Sequence, residues 1–118
     1  LADLSERGNR RIIGIYGGRA TDLLKLAGAD MRQVIDADKT VLAAEVAFAI
    51  RFEYARNLID LMHRRLMLGL SADQGEQAAA TVAAIAAREL GWDAHESARQ
   101  LRMLHDYNAR LRVDIAIR

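Results

Sequence analysis

The sequence lacks cysteine and proline entirely across its 118 residues. The absence of cysteine excludes a disulfide framework and any cysteine-ligated zinc or iron–sulfur site, and it fits a reducing cytosol. Because there is no proline, only glycine supplies sharp breaks. Alanine, the strongest helix former, is abundant, so helix is favoured along the whole chain.

An excess of one charge and long apolar runs are also missing. The 17 basic and 16 acidic side chains leave a formal net charge of +1, which gives the chain as a whole no strong attraction to nucleic acid or to an anionic membrane. No run approaches the roughly 20 apolar residues of a membrane span, and the polar start has no signal-peptide core. We therefore expect a cytoplasmic location. Because the chain starts at Leu1 rather than Met, we expect a processed protein or a piece of a longer one.

The clearest helical pattern lies in the C-terminal half. A first helix is predicted over residues 71–92, with Ser71 or Asp73 as its N-cap and Gly91 as its left-handed C-terminal residue. Asp93 is predicted to cap a second helix, and Trp92 to anchor the turn between the two. The apolar face of the second helix is predicted to carry Ala94, Ala98, Leu101, Met103, Leu104 and Leu111, and its outer face Arg99, Arg102 and Arg110.

The middle of the chain predicts a helix that is apolar on nearly all sides. Glu45 is the only charged residue in positions 41–50, so we expect a central, nearly surrounded helix that Thr40 caps. Asn57 is predicted to cap a short following helix, with Asp60 at its third position. Residues 28–38 lack periodicity and are predicted as a loop. The predicted fold is a single all-α bundle of about five or six helices, without a second domain.

The stretch RRIIGIYGGRATDLLKLAG, residues 10–28, superficially suggests a strand, a phosphate-binding turn and a helix. A dinucleotide fingerprint needs glycine at its first, third and sixth positions. Starting from Gly14, Gly17 or Gly18, no register supplies them, and no later strand pattern could complete the unit. The glycine pair is therefore predicted to end one helix and to let the next begin at Thr21 or just before it.

Two short stretches of the sequence superficially suggest a metal site and a DNA-binding motif. Asp60 and His63 have the spacing of half a carboxylate–histidine metal motif, but no Glu-x-x-His occurs to complete it, and His95 and His105 are predicted to lie on the surface. Residues 87–101 resemble a helix-turn-helix, yet Ser97 and Gln100 stand where that motif needs apolar residues. A DNA-binding domain and a free-standing helical interaction module remain as alternatives.

Read as helix, break and helix, the chain resembles a known family. Its motifs resemble the C-terminal domain of FAD-dependent glycerol-3-phosphate dehydrogenases and the related alpha-glycerophosphate oxidases, and they occur in the family's order between Tyr16 and Arg110. They are Tyr16-Gly17-Gly18-Arg19-Ala20 with Leu24, Leu26 and Ala27; Ala44-Glu45-Val46 with Ala49-Ile50-Arg51, Glu53 and Ala55; Leu58, Asp60 and Arg64-Arg65; Glu89-Leu90-Gly91-Trp92-Asp93; and Tyr107.

The resemblance implies that residues 1–118 are the C-terminal helical domain of a flavoenzyme that oxidises glycerol 3-phosphate to dihydroxyacetone phosphate. In this family the larger N-terminal part, absent from this chain, holds FAD and substrate. We therefore expect an isolated domain that is inactive and has no catalytic, cofactor-binding or metal-binding residue. The expected partners are the N-terminal FAD domain of the same chain and, as an open alternative, a second copy. Nucleic acid is not expected, and the intact enzyme is expected in the cytoplasm or peripherally at the cytoplasmic membrane.

Five charged residues are candidates for structural or interdomain contacts: Arg19, Glu45, Arg51, Arg64 and Arg65. A lone carboxylate in an apolar helix must be paired, hydrogen-bonded or protonated. We expect Glu45 to pair with an arginine such as Arg19 or Arg51. The two consecutive arginines fit either a solvated helix end or an interface.

Overall fold

The computed structural model describes residues 3–26, 29–70 and 73–117, and these residues form an all-α bundle, as predicted. Val34 and Leu42 form an isolated antiparallel bridge. The helices are α1 (Glu6–Tyr16), α2 (Ala20–Leu26), α3 (Ala43–Glu53), α4 (Leu58–Asp60), α5 (Glu76–Leu90) and α6 (Ala94–Ile117). A π-helical segment (Leu61–Arg65) continues α4, and 3₁₀ turns lie at Gly17–Arg19, Ala29–Arg32 and Leu68–Leu70.

The glycine break between α1 and α2 occurs where the sequence predicts it. Gly17 has a φ of 50°, a backbone conformation that residues other than glycine rarely adopt, and α1 ends just before it, at Tyr16. A single 3₁₀ turn follows, and α2 begins at Ala20. The apolar run before the glycines is therefore helix and not strand.

Helix α3 is the central element, as its composition predicts. Every residue from Ala43 to Ile50 is buried, including Glu45. The prediction of its start was wrong, because the helix begins at Ala43 and not at Val41. The Thr40 hydroxyl donates to Asp36, and the carboxylate of Asp36 also accepts the backbone N–H groups of Thr40 and Val41. Thr40 thus completes the preceding loop instead of capping α3.

Helices α5 and α6 form the predicted hairpin. Gly91 has a φ of 73° at the end of α5, and the carboxylate of Asp93 accepts the N–H of Glu96 at 2.8 Å. Helix α5 is shorter than predicted, because Gly75 precedes it in a left-handed conformation. Asp73 accepts the N–H groups of Gly75 and Gln77, while the alternative cap Ser71 lies outside the described residues.

The buried face of α6 differs from the predicted one. Gln100, Leu104 and Asn108, spaced four residues apart, point into the bundle, whereas the predicted core positions Ala94, Ala98 and Met103 are exposed. The difference arises because the buried amides have partners on α4 and α5, which the sequence pattern of one helix cannot show. Arg99, Arg102 and Arg110 are exposed, as predicted.

The core has two parts that meet along α3. The larger part joins α3, the π segment, α5 and α6, and Trp92 packs against it as the predicted anchor. The smaller part lies between α1, α2 and the other side of α3, with Tyr16, Leu23 and Phe48 at its centre. Among the described helices, none is both long enough and apolar enough to cross a bilayer.

Candidate interdomain contacts

Glu45 lies at the centre of a buried polar cluster. Its side chain is fully inaccessible to solvent. One carboxylate oxygen accepts a hydrogen bond from Arg11 at 2.7 Å and one from the Tyr16 hydroxyl at 2.8 Å. The other oxygen accepts the backbone N–H of Leu42 at 2.7 Å, which caps α3. The carboxylate is therefore charge-paired and hydrogen-bonded, as a buried carboxylate requires.

The predicted partner of Glu45 was wrong, since the arginine is Arg11 and not Arg19 or Arg51. Arg11 also donates to the carbonyl of Thr40 at 3.2 Å and to that of Leu66 at 3.3 Å. One guanidinium thus joins α1 to α3 and to the end of the π segment. Sequence analysis missed Arg11, because α1 shows no pattern that ties this residue to a position 34 residues further along the chain.

Tyr16 is the third member of this cluster. Burial, and next the negative charge of Glu45, raise the pKa of its phenol far above the ordinary value. Its ring packs edge-on against Phe48, with 5.4 Å between the ring centroids. Tyr16 therefore remains a neutral hydrogen-bond donor and links the polar cluster to the smaller part of the core.

Arg19 lies at the surface instead. Its guanidinium lies over the ring of Phe48, 4.6 Å from the centroid. Phe52, one turn later on α3, packs against the same ring at 5.1 Å and is 52% exposed. These residues line a groove of about 360 Å³ together with Asp22, Lys25 and Leu26 of α2.

Arg51 pairs with Glu89 and not with Glu45. Its guanidinium makes two hydrogen bonds to that carboxylate, at 2.6 and 2.9 Å. The paired geometry matches the fork of donors on arginine. Because the pair connects the last turn of α3 to the last turn of α5, it serves as a structural contact within the bundle.

Arg64 and Arg65 both lie near Asp60 at the surface. Arg65 approaches that carboxylate at 3.3 Å, and Arg64 at 3.9 Å with a side chain that is 83% exposed. The Asn57 side chain accepts the N–H of Asp60 at 2.8 Å, which confirms the predicted cap. Asn57, Asp60 and Arg64 line a groove of about 760 Å³ between α4 and α6, with Met103 and Tyr107 on its far side.

His63 takes part in a hydrogen-bonded chain inside the bundle. Its Nε2 lies 2.6 Å from the side-chain oxygen of Asn108, whose amide donates to Glu76 at 2.9 Å. The ring also packs edge-on against Tyr107. Asp60, which has the spacing of a metal half-motif with His63, faces Arg64 and Arg65 instead, and the described residues contain no cluster of three or more His, Cys, Asp or Glu suited to a metal ion.

The other two histidines lie where the sequence predicts, since both are exposed on α6. His105 approaches Glu76 at 3.6 Å, and His95 lies in the first turn. Sequence analysis missed Gln100 and Asn108, the buried amides of this helix. Gln100 accepts the N–H of Leu58 at 3.0 Å, so it satisfies the start of α4 from a neighbouring helix. In the sequence, the burial of Gln100 and Asn108 is indicated only by their spacing of four residues on either side of the apolar Leu104.

The fold and these contacts define a helical domain. Of the five charged candidates, Glu45 and Arg51 hold helices together, and Arg19, Arg64 and Arg65 lie on the surface. A family model for the C-terminal domain of alpha-glycerophosphate oxidase matches residues 2–97, and the chain belongs to this family. A glycerol-3-phosphate dehydrogenase from Synechocystis sp. is 30% identical over 96 residues, which cover 79% of this chain. The chain corresponds to only 17% of that relative's length. No solved structure matches the chain significantly.

Proposed function

We propose that this chain is the C-terminal accessory domain of an FAD-dependent enzyme that oxidises glycerol 3-phosphate to dihydroxyacetone phosphate. The observation that carries the proposal is the similarity to a glycerol-3-phosphate dehydrogenase of which the chain spans about a sixth. Under this proposal the remaining part of the enzyme, here called the flavin portion, binds FAD and substrate. The helical domain packs on the flavin portion and does not catalyse alone.

The use of the motif residues supports a structural role. The Glu45 carboxylate accepts hydrogen bonds from Arg11, Tyr16 and the backbone at the start of α3, and Arg51 donates hydrogen bonds to Glu89. The Glu45 side chain is fully buried, and Arg51 directs two of its guanidinium nitrogens to the Glu89 carboxylate. Arg19, Arg64 and Arg65 point outward, and we propose that they contact the flavin portion or a second subunit. The intact enzyme is proposed to act in the cytoplasm, or at the cytoplasmic membrane as a peripheral protein.

The proposal is tested by comparing the purified chain with the intact protein encoded by the natural reading frame. We expect the intact protein to contain one FAD per chain and to reduce an artificial electron acceptor when glycerol 3-phosphate is added. The chain alone should stay colourless after mixing with FAD and should give no turnover. Stoichiometric flavin on the chain alone would contradict the assignment of cofactor binding to the flavin portion. A reading frame that starts just before Leu1 would contradict the enzyme itself.

A further inference from the structure

We propose that the groove between α2 and α3 is the site where a carboxylate-bearing segment of the flavin portion docks. The groove, here called the arginine–aromatic groove, is lined by Arg19, Asp22, Lys25, Leu26, Phe48 and Phe52. This inference rests on the function proposed above and names the surface and the chemistry of the contact.

The first argument is the state of Arg19. Its guanidinium is held over the Phe48 ring, but within the described parts of the chain it has no carboxylate within ion-pair distance. The other arginines that carry family motifs have such a partner, since Arg51 pairs with Glu89, and both Arg64 and Arg65 lie within ion-pair distance of Asp60. A guanidinium stacked on a ring is weakly hydrated and keeps its in-plane donors free for a carboxylate. Arg19 is thus positioned for an acid that the described chain does not supply.

The second argument is the exposure of Phe52 beside that guanidinium. All residues of α3 from Ala43 to Ile50 are buried, yet Phe52 is 52% exposed while its ring contacts Phe48. An aromatic side chain next to arginine is the composition found at energetically important interface positions. A volume of about 360 Å³ accommodates a few side chains of a partner segment.

The third argument is charge. Arg19 and Lys25 face the groove against one carboxylate, that of Asp22, so the lining carries one excess positive charge. The lining of the larger groove between α4 and α6 also has two arginines against one carboxylate, but both arginines have a partner, since Arg64 lies near Asp60 and Arg99 is paired with Glu96 at 2.8 Å. A segment with a carboxylate beside an apolar side chain therefore complements the arginine–aromatic groove better than the larger one, because the guanidinium of Arg19 is the one without a carboxylate partner among the described residues of the two linings.

The experiment uses the intact, flavin-loaded enzyme carrying Arg19→Lys. A lysine keeps the charge and can be joined to a carboxylate in ion-pair contact by a zero-length carbodiimide reagent, after which mass spectrometry locates the bond. Arg102→Lys is the matched control, because Arg102 is an exposed arginine of α6 outside the groove. We expect the Arg19→Lys enzyme to yield a crosslink to an Asp or Glu of the flavin portion in the same chain, well above the control.

A charge reversal gives an independent readout. Because loss of a desolvated charge contact weakens association by at least about tenfold, Arg19→Glu should accelerate hydrogen exchange of the α2 amides by that factor in the intact enzyme. Arg102→Glu should leave these amides unchanged. A crosslink to a second copy, or no crosslink above the control with unchanged exchange, would overturn the docking proposal. An intact protein without flavin would instead contradict the proposed function, so the two failures are distinguishable.

Discussion

Removing the cation from the buried Glu45 cluster should be among the most damaging single changes in this chain. Arg11→Met keeps the aliphatic length of the side chain but deletes the guanidinium that lies 2.7 Å from the carboxylate. Glu45 is fully buried and Arg11 is only 17% exposed, so water cannot readily replace the lost partner. Breaking such a pair from one side costs about 3–5 kcal/mol, a large fraction of the stability of a domain of this size.

The double variant Arg11→Met/Glu45→Gln separates this explanation from a loss of packing. When both charges are removed, no unpaired buried charge remains, and the penalty should fall to about half or less of that of Arg11→Met alone. Urea unfolding followed by far-ultraviolet circular dichroism gives the free energy of unfolding of each variant. If Arg11→Met does not fold, recovery of the helical signal in the double variant is the decisive observation. Additive losses in the double variant would refute the reasoning.

Three further predictions follow from local geometry. Gly8→Ala should destabilise the chain by about 1–3 kcal/mol, because an added Cβ would lie 2.4 Å from the backbone carbonyl oxygen of Lys39. Gly14→Ala is the matched control on the same helix, since a Cβ there meets nothing within 4 Å. It should stabilise the chain by about 0.5–1 kcal/mol in the same denaturant titration. Because the pKa of Tyr16 is raised in the folded chain, its contribution to the free energy of unfolding is fully present below pH 10, the ordinary pKa of a phenol, and is lost as the pH rises above it. Tyr16→Phe should remove this alkaline loss. At neutral pH it should cost about 1.5–3 kcal/mol, because Glu45 loses a hydrogen-bond donor. Hydrogen bonds from Arg99 and Gln100 lower the pKa of Glu96 from 4.5 to about 2, so the contribution of this carboxylate to stability is present above pH 4.5 and is lost as the pH falls towards 2. Glu96→Gln should therefore flatten the acid limb of a curve of stability against pH. An unchanged acid limb would show that Glu96 does not make these hydrogen bonds in solution.

The parts of the fold that could be predicted from sequence depend on short-range interactions. The caps at Asn57 and Asp93 and the left-handed Gly91 involve atoms within a few residues, so the local residue types are sufficient to predict them. The burial of α3 was also predictable, because a helix that is apolar on all sides must be surrounded. The start of α3 was not, although a glutamate at the third helical position is the known signal for the cap that Glu45 provides at Leu42.

The partners of the charged residues could not be predicted, because each is chosen by the approach of distant helices. Glu45 and Arg11 are 34 positions apart, and Arg51 and Glu89 are 38 apart. Several arginines satisfy the same charge requirement in sequence, and only the packing of α1 on α3 decides between them. The burial of Gln100 has the same origin, because its side-chain oxygen accepts the backbone N–H of Leu58 at the start of α4, which lies 42 positions away in sequence.

These long-range pairs also explain why Arg19 remains at the surface. Because Arg11 pairs with Glu45 and Arg51 pairs with Glu89, neither of these two carboxylates is left for Arg19. Its guanidinium then gains stabilisation from the face of Phe48, and no carboxylate of the described residues lies within ion-pair distance of it. The same packing that completes the interior of the domain therefore leaves a positive position backed by an aromatic ring on its outside, and an acid from another part of the enzyme can neutralise that charge without disturbing the bundle.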